Sequence, residues 1–246
     1  MKPPTKLGAA EWARIYDRTL EQSSAAELPF RNNAERVLEH ARGLARPGEI
    51  WLDVGAGSGW LTQQLALGGA RVWGVDVDRG ILRIAARAER VGYVAARAEQ
   101  LPFADASIDG VAGASFLGCI ADPEATFREL SRVLRPGGHF IASAANGASR
   151  LSRVQDWLRK SGLATSVVLG NHSSGVYRAY LPSQLRVLLA RHGLHVVGTS
   201  HHNMLLTIGP LCVPPRRALR RVEALLGQTP LAAVVGRALV MVARKA

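Results

Sequence analysis

Residues 50–66, IWLDVGAGSGWLTQQLA, restrict the possible folds more than any other stretch of the chain. An apolar run of strand length ends at Val54, glycines stand at 55, 57 and 59, and an apolar-periodic segment begins at Trp60. A buried strand, a tight loop and a helix in that order form half of a parallel β–α–β unit, because parallel strands need a crossover connection and the helix supplies it. The pattern then repeats. The spacing predicts a helix over 31–45 before this unit, and after it strands at 70–77, 92–96, 108–114 and 139–145. Helices fall over 80–92 and 122–138, the second with Asp122 as N-cap and Pro136-Gly137-Gly138 as its stop. Such alternation indicates a doubly wound, mostly parallel α/β sheet with helices on both faces.

After Asn146 the pattern loosens into a Ser-, Gly- and Arg-rich insertion (146–181). A clear helix at 182–193, a sixth strand at 194–200, an amphipathic helix over 213–227 and a final strand at 237–246 follow. No 20–50-residue period recurs, so a solenoid is excluded. We expect one domain over 1–246: an N-terminal helical cap (1–45), a ligand-binding core (46–145) and two insertions (146–181 and 201–230).

No apolar signal-peptide core opens the chain, and no apolar stretch approaches the roughly 20 residues of a spanning helix. The expectation is a soluble, cytoplasmic protein. Cys119 and Cys212 are the only cysteines, too few for a disulfide framework or a cysteine-based zinc site. The net charge of +12 is lopsided. Residues 1–129 carry 15 basic and 17 acidic side chains, whereas residues 130–246 carry 16 basic ones against Asp156 and Glu223. One reading is arginine used on solvated faces; the other is a C-terminal half that meets an anionic substrate, an acidic carrier protein, a lipid surface or nucleic acid.

The glycine spacing is G-x-G-x-G, and the third glycine of a dinucleotide fingerprint would fall where Trp60 stands. Asp53 discriminates further. A carboxylate just before the cradle repels a pyrophosphate but attracts an ammonium and a sulfonium, while the loop amides and the helix start near Ser58 still suit a carboxylate. A ligand with an α-amino-acid end and a nucleoside fits: S-adenosylmethionine. Asp76, 21 residues after Gly55, closes the second strand where an acid can accept from both ribose hydroxyls.

The segments LDVGAGSG, VDVD, ARAEQLPFADASID, ELSRVLRPGGHF and ALVMVARK, in that order, resemble the class I, Rossmann-like S-adenosylmethionine-dependent methyltransferases, in particular the small-molecule group that includes quinone-biosynthesis enzymes. The resemblance covers about residues 45–145 well. It implies a seven-stranded sheet whose last strand is antiparallel. It also implies that Asp53, Gly55, Ala56, Gly57 and Gly59 line the methionine end, that Asp76 holds the ribose and Val77 lies against the adenine, and that Ala98 and Glu99 flank the adenine, with Ser115 at the edge of the cofactor site. Arg97 stands where the family usually has Asp, which leaves one edge contact open. WARIYDR (12–18) is similar to a segment in which an aromatic closes the pocket, so Tyr16, or Trp12, is a candidate; either residue could equally anchor the N-terminal helix to the core.

Methyl transfer is an in-line displacement, and its main demand is alignment of nucleophile and methyl. In an open α/β sheet the acceptor approaches over the carboxyl ends of the strands. Three places qualify: Ser115–Phe116, Ala145–Asn146 and His201–His202–Asn203. Gly118 and Cys119 stand where the family often has a histidine pair, so a base is not expected there. His172, His201 and His202 are the candidate bases; for each, a structural role is the competing reading. The run ASFL after the fourth strand lacks the Asn/Asp-Pro-Pro-aromatic pattern of base-amine methylation, which disfavours nucleic acid. No metal site is suggested. A cofactor-binding scaffold or ring-closing catalyst of the same fold is the alternative to methyl transfer.

Overall fold

The computed structural model describes residues 28–85, 89–150, 152–154, 157, 178–203, 226–227 and 229–246. The described chain runs α1 (Leu28–Arg42), β1 (Ile50–Val54), α2 (Trp60–Ala66), β2 (Arg71–Asp76), α3 (Arg79–Ile84), β3 (Val91–Ala95), β4 (Ile108–Gly113), α4 (Pro123–Val133), β5 (Leu134–Asn146), β6 (Ala179–Tyr180), α5 (Pro182–Arg191), β7 (Leu194–His202), α6 (Pro230–Val235) and β8 (Ala238–Lys245). The sheet order is β3-β2-β1-β4-β5-β8-β7, with the two-residue β6 paired beside β5. All pairings are parallel except those of β8, which runs antiparallel to both β5 and β7. This is the expected Rossmann-like methyltransferase fold.

β1 lies at the centre because its residues alternate between two apolar layers. Leu52 and Val54 face a core containing Phe127, Leu130 and Phe140, while Trp51 faces one with Val37, Leu65 and Val240. Trp51 and Leu52 are fully buried, each contributing on the order of 1.5–3 kcal/mol relative to exposure. Asp53 shares the Trp51 face, and its carboxylate is buried at 1% exposure beside Thr62 of α2.

Several boundaries differ from the sequence reading: the helix expected over 80–92 ends as α3 at Ile84, and β3 already begins at Val91. α4 ends at Val133, and the RPGG segment opens β5 rather than closing the helix, with Leu134 already extended (φ −67°, ψ 136°) and paired with Ile108. Pro136 biases Arg135 toward extended backbone and so ends the helix early. The insertion after Asn146 also contributes β6, whose Tyr180 is buried and donates its hydroxyl to the Leu117 carbonyl at 3.1 Å. That contact, with Arg178 N–H on the Gly118 carbonyl at 2.8 Å, holds the short turn that follows β4. Among the described residues, no helix is long and apolar enough to cross a membrane.

Candidate active site

The carboxyl ends of the parallel strands gather the site. After β1 the chain turns through Gly55, Gly57 and Gly59 at φ 75°, 53° and 85°. These are left-handed conformations that other residues occupy at a cost of about 1–2 kcal/mol. The loop is pinned to β2, since the amides of Gly55 and Ala56 donate to the Val75 carbonyl at 2.8 and 3.0 Å. Two positions also exclude a side chain on space alone: a Cβ on Gly55 would lie 2.7 Å from Phe116 Cβ, and one on Gly59 would collide with the Tyr93 hydroxyl.

Asp76 ties the loop to the second strand. Its Oδ2 accepts from the Gly57 amide at 3.0 Å and its Oδ1 from the Asp78 amide at 3.0 Å. The Val77 amide is a further donor to the same carboxylate. Asp78 in turn caps α3, accepting from the amides of Gly80 and Ile81.

Asp53 Oδ2 accepts from the Thr62 hydroxyl at 2.7 Å, and Oδ1 is buried with no partner. Burial first, and the negative charge of Asp76 in addition, push its carboxyl up to about 7 against the Thr62 hydrogen bond. Asp76 is also held above the usual carboxylate range, chiefly by burial. Asp53, held from ionising by burial and by the nearby charge of Asp76, forms a well that a cation relieves.

The adenine-side residues lie on the next two connections. Val77, directly after β2, is 57% exposed. Ala98 packs against the core, and Glu99 is mostly covered, 3.3 Å from Arg97 Nη2. Arg97, the departure from the family pattern, thus faces the acid that the resemblance places at the adenine.

On the acceptor side, a polar cluster joins the ends of β4, β5 and β7 to the start of α1. Ser115 is left-handed (φ 63°), its amide donates to Ser143 Oγ at 2.8 Å, and its hydroxyl accepts from Asn33 Nδ2 at 2.8 Å. Asn33 Oδ1 accepts from Asn203 Nδ2 at 3.0 Å and contacts His202 Nε2 at 2.6 Å. Burial and the nearby charges of Arg36, His201 and His40 drive the His202 imidazole down to about 3. His201 is partly buried on β7, its Nε2 is a buried atom without a partner, and burial with the Arg186 charge lowers its pKa.

Asn146 is a structural clamp: its Nδ2 donates to the carbonyls of Ala233 and Gly236, and its Oδ1 accepts from the Ala148 amide. Cys119 is no nucleophile, since burial and the Asp76 charge push its thiol up to about 12. Tyr16, Trp12, His172 and the arginines at 216–221 lie outside the described residues. Thr62, Ser143 and Asn33 were not expected from sequence. Asn33 had a usable signal: it shares the buried stripe of α1 with Val37 and Ala41, where a polar residue needs partners.

Residues 52–142 match the model of a methyltransferase domain. The demethylmenaquinone methyltransferase of Mycolicibacterium paratuberculosis is 37% identical over 129 residues, 52% of this chain and 54% of that protein. The malonyl-(acyl-carrier protein) O-methyltransferase of Hahella chejuensis is 39% identical over 157 residues, covering 61% and 56%. The chain thus spans about half the length of these curated relatives.

In fold, it is similar to a chain of the Haloferax volcanii complex containing the Trm112 methyltransferase activator, with a TM-score of 0.65, 19% identity and coverage of 98% and 99%. The Burkholderia thailandensis 1,6-didemethyltoxoflavin-N1-methyltransferase, solved with S-adenosylhomocysteine, superposes with a TM-score of 0.57, 23% identity and coverage of 99% and 93%. Over residues 52–142 the chain is thus similar to methyltransferase domains, and its fold is the Rossmann-like one of the class I S-adenosylmethionine-dependent methyltransferases. The unpartnered Asp53 Oδ1 beside a cradle closed to side chains is the feature of this structure that fits S-adenosylmethionine.

Proposed function

We propose that the protein transfers a methyl group from S-adenosylmethionine to a small-molecule acceptor. The observation that carries this reading is the pair of acids, Asp53 fully buried and Asp76 half-buried, on either side of the three left-handed glycines. When bound, the cofactor supplies an electrophilic methyl on a sulfonium. Asp53 offers its free Oδ1 to the ammonium end, the glycine amides and the start of α2 face the carboxylate, and Asp76 takes the ribose hydroxyls. Ala56, Val77, Ala98 and Glu99 complete the cofactor side, with Ser115 at its border.

The acceptor side contributes position rather than a strong base. His202 is neutral across the physiological range and Cys119 stays a thiol, so rate is gained by alignment in a dry pocket, a proximity effect of up to about 7–11 kcal/mol. His201 and His172 are the remaining candidates for proton transfer, with Tyr16 as a closing aromatic. We read 1–246 as one methyltransferase domain, with the stretches 146–181 and 201–230 on the acceptor side, working in the cytoplasm.

The excess of arginine after residue 130 favours an acceptor with a hydrophobic body and an anionic end, presented free, on an acidic carrier or at a lipid surface. Two relatives are named for a quinone and for a malonyl group on an acyl-carrier protein.

The test is incubation with S-adenosylmethionine and a panel of phenolic, amine and carboxylate acceptors, followed by detection of S-adenosylhomocysteine. Acceptor-dependent formation supports methyl transfer. Cofactor binding without product across the panel would replace it with a non-methylating scaffold.

A further inference from the structure

Four residues far apart in sequence meet at one carboxamide. Asn33, Ser115, His202 and Asn203 are each less than a tenth exposed. Ser115 and Asn203 are two of the four non-glycine residues with positive φ among the described residues, at 63° and 58°. Non-glycine residues held in this region cost about 1–3 kcal/mol each and persist only where the surroundings over-determine them, commonly at functional sites. Here the surroundings include Asn33, which bonds both.

The bonds also fix a proton. Asn33 Nδ2 donates to Ser115 Oγ, so Oδ1 is the atom facing Asn203 and His202. A carbonyl oxygen accepts only, so the 2.6 Å contact requires the hydrogen on His202 Nε2. Nδ1 then carries a lone pair, and it is a buried atom with no partner. Buried acceptors without partners are rare in native proteins. This one lies one hydrogen-bonded side chain from Ser115, whose neighbour Phe116 abuts the cofactor loop at Gly55.

We propose that Asn33 is the positioning residue of the acceptor half-site: it holds the turns at Ser115 and Asn203 and keeps the His202 proton on Nε2, so that Nδ1 accepts a hydrogen bond from an O–H or N–H group of the methyl acceptor. The inference rests on the methyltransferase reading above. It selects among acceptors, because a carboxylate brings no hydrogen to Nδ1 and a phenol or amine does. Arg36 and His40 of α1 and His201 of β7 are the charged and titratable groups facing His202, and all three oppose its protonation.

The experiment is nitrogen-15 NMR of the full chain labelled at histidine and loaded with S-adenosylhomocysteine. In the wild type, His202 Nδ1 is expected to be unprotonated and Nε2 protonated, without titration between about pH 5 and 8. In Asn33→Ala the single tautomer is expected to give way to a mixture. Asn33→Asp places a carboxylate on Nε2 and should bring a His202 titration into the window. Asn203→Gly suits the left-handed backbone and removes one donor to Asn33; it is expected to give a partial mixture and serves if Asn33→Ala does not fold.

Phenol, as probe, should shift Nδ1, and benzoate should not. A wild-type proton on Nδ1, an unchanged tautomer in the variants, no shift with phenol, or an equal shift with benzoate would overturn the proposal. S-adenosylhomocysteine binding by the wild type is measured by calorimetry. No binding by the wild type would instead remove the methyltransferase reading and leave the tautomer result standing.

Discussion

The cofactor half and the acceptor half of the site are built by different means. The first is made of backbone from one short stretch: Asp53, three left-handed glycines and Asp76, closed by amide bonds to Val75 and Asp76. The second is made of side chains drawn from α1, β5, β7 and the turn after β4, with partners 28 to 170 positions apart. Each half buries a titratable group, and burial acts on them in opposite directions: Asp53 is pushed up to about 7, His202 down to about 3. Both are thereby kept from carrying charge. The lesson is that a cationic ligand can recharge the cofactor half, whereas Arg36, His40 and His201 keep the acceptor half neutral.

The largest expected effect strikes the backbone-built half. Gly59→Ala meets both a φ of 85° and the Tyr93 hydroxyl. A loss of about 2–5 kcal/mol of stability is expected from strain plus overpacking, with cofactor binding abolished, as read by chemical denaturation and calorimetry. Wild-type behaviour would show that the loop is not the rigid element described.

The opposite shifts of Asp53 and His202 give the next test. Between about pH 4 and 7 the folded protein holds a proton on Asp53 that the unfolded chain has released, so this group's contribution falls as pH rises. Between about pH 3 and 6.5 the unfolded chain holds a proton on His202 that the folded protein excludes, so its contribution rises with pH. Relative to wild type, Asp53→Asn should therefore tilt stability upward with pH over 4–6.5, and His202→Gln should tilt it downward. Each tilt approaches about 1.4 kcal/mol per pH unit, measured by urea denaturation at several pH values. Parallel curves would contradict the burial argument.

A related effect concerns ligand binding. Ionising Asp53 against the ammonium should release protons near pH 7, so the calorimetric heat should depend on the buffer. Asp53→Asn should lose that part of the dependence. The smallest effect is expected at Val77, which is exposed and awaits a partner. Val77→Ala should weaken cofactor binding by about 1–2 kcal/mol, from the methylene groups lost, and leave stability unchanged.

The contrast between the halves also decides what could be read from the sequence. The placement of Asp53, the glycines and Asp76 around one loop was legible because it follows from local spacing: a strand end, a left-handed loop and the next strand end. The order of the sheet followed from alternation. The start of β5 was misplaced because Pro136-Gly137-Gly138 reads as a helix stop, while the pairing of Leu134 with Ile108 is a tertiary fact. β6 consists of two residues whose strand character exists only against β5. His201–His202–Asn203 was legible as a strand end facing the acceptor, but the partner that defines it, Asn33, lies 169 positions from His202. Nothing in RNNAERV says which strand end it will meet.

The most direct measurement is a calorimetric titration of wild type and Asp76→Ala with S-adenosylmethionine, with NADH as the control ligand. One site on the wild type is expected, weakened in the variant by about 1.5–3 kcal/mol for each ribose hydrogen bond lost, roughly 10- to 150-fold, and no binding of NADH to either. Equal affinities in the two proteins, or a wild type that takes up NADH, would contradict the assignment of the two acids to a cationic nucleoside cofactor.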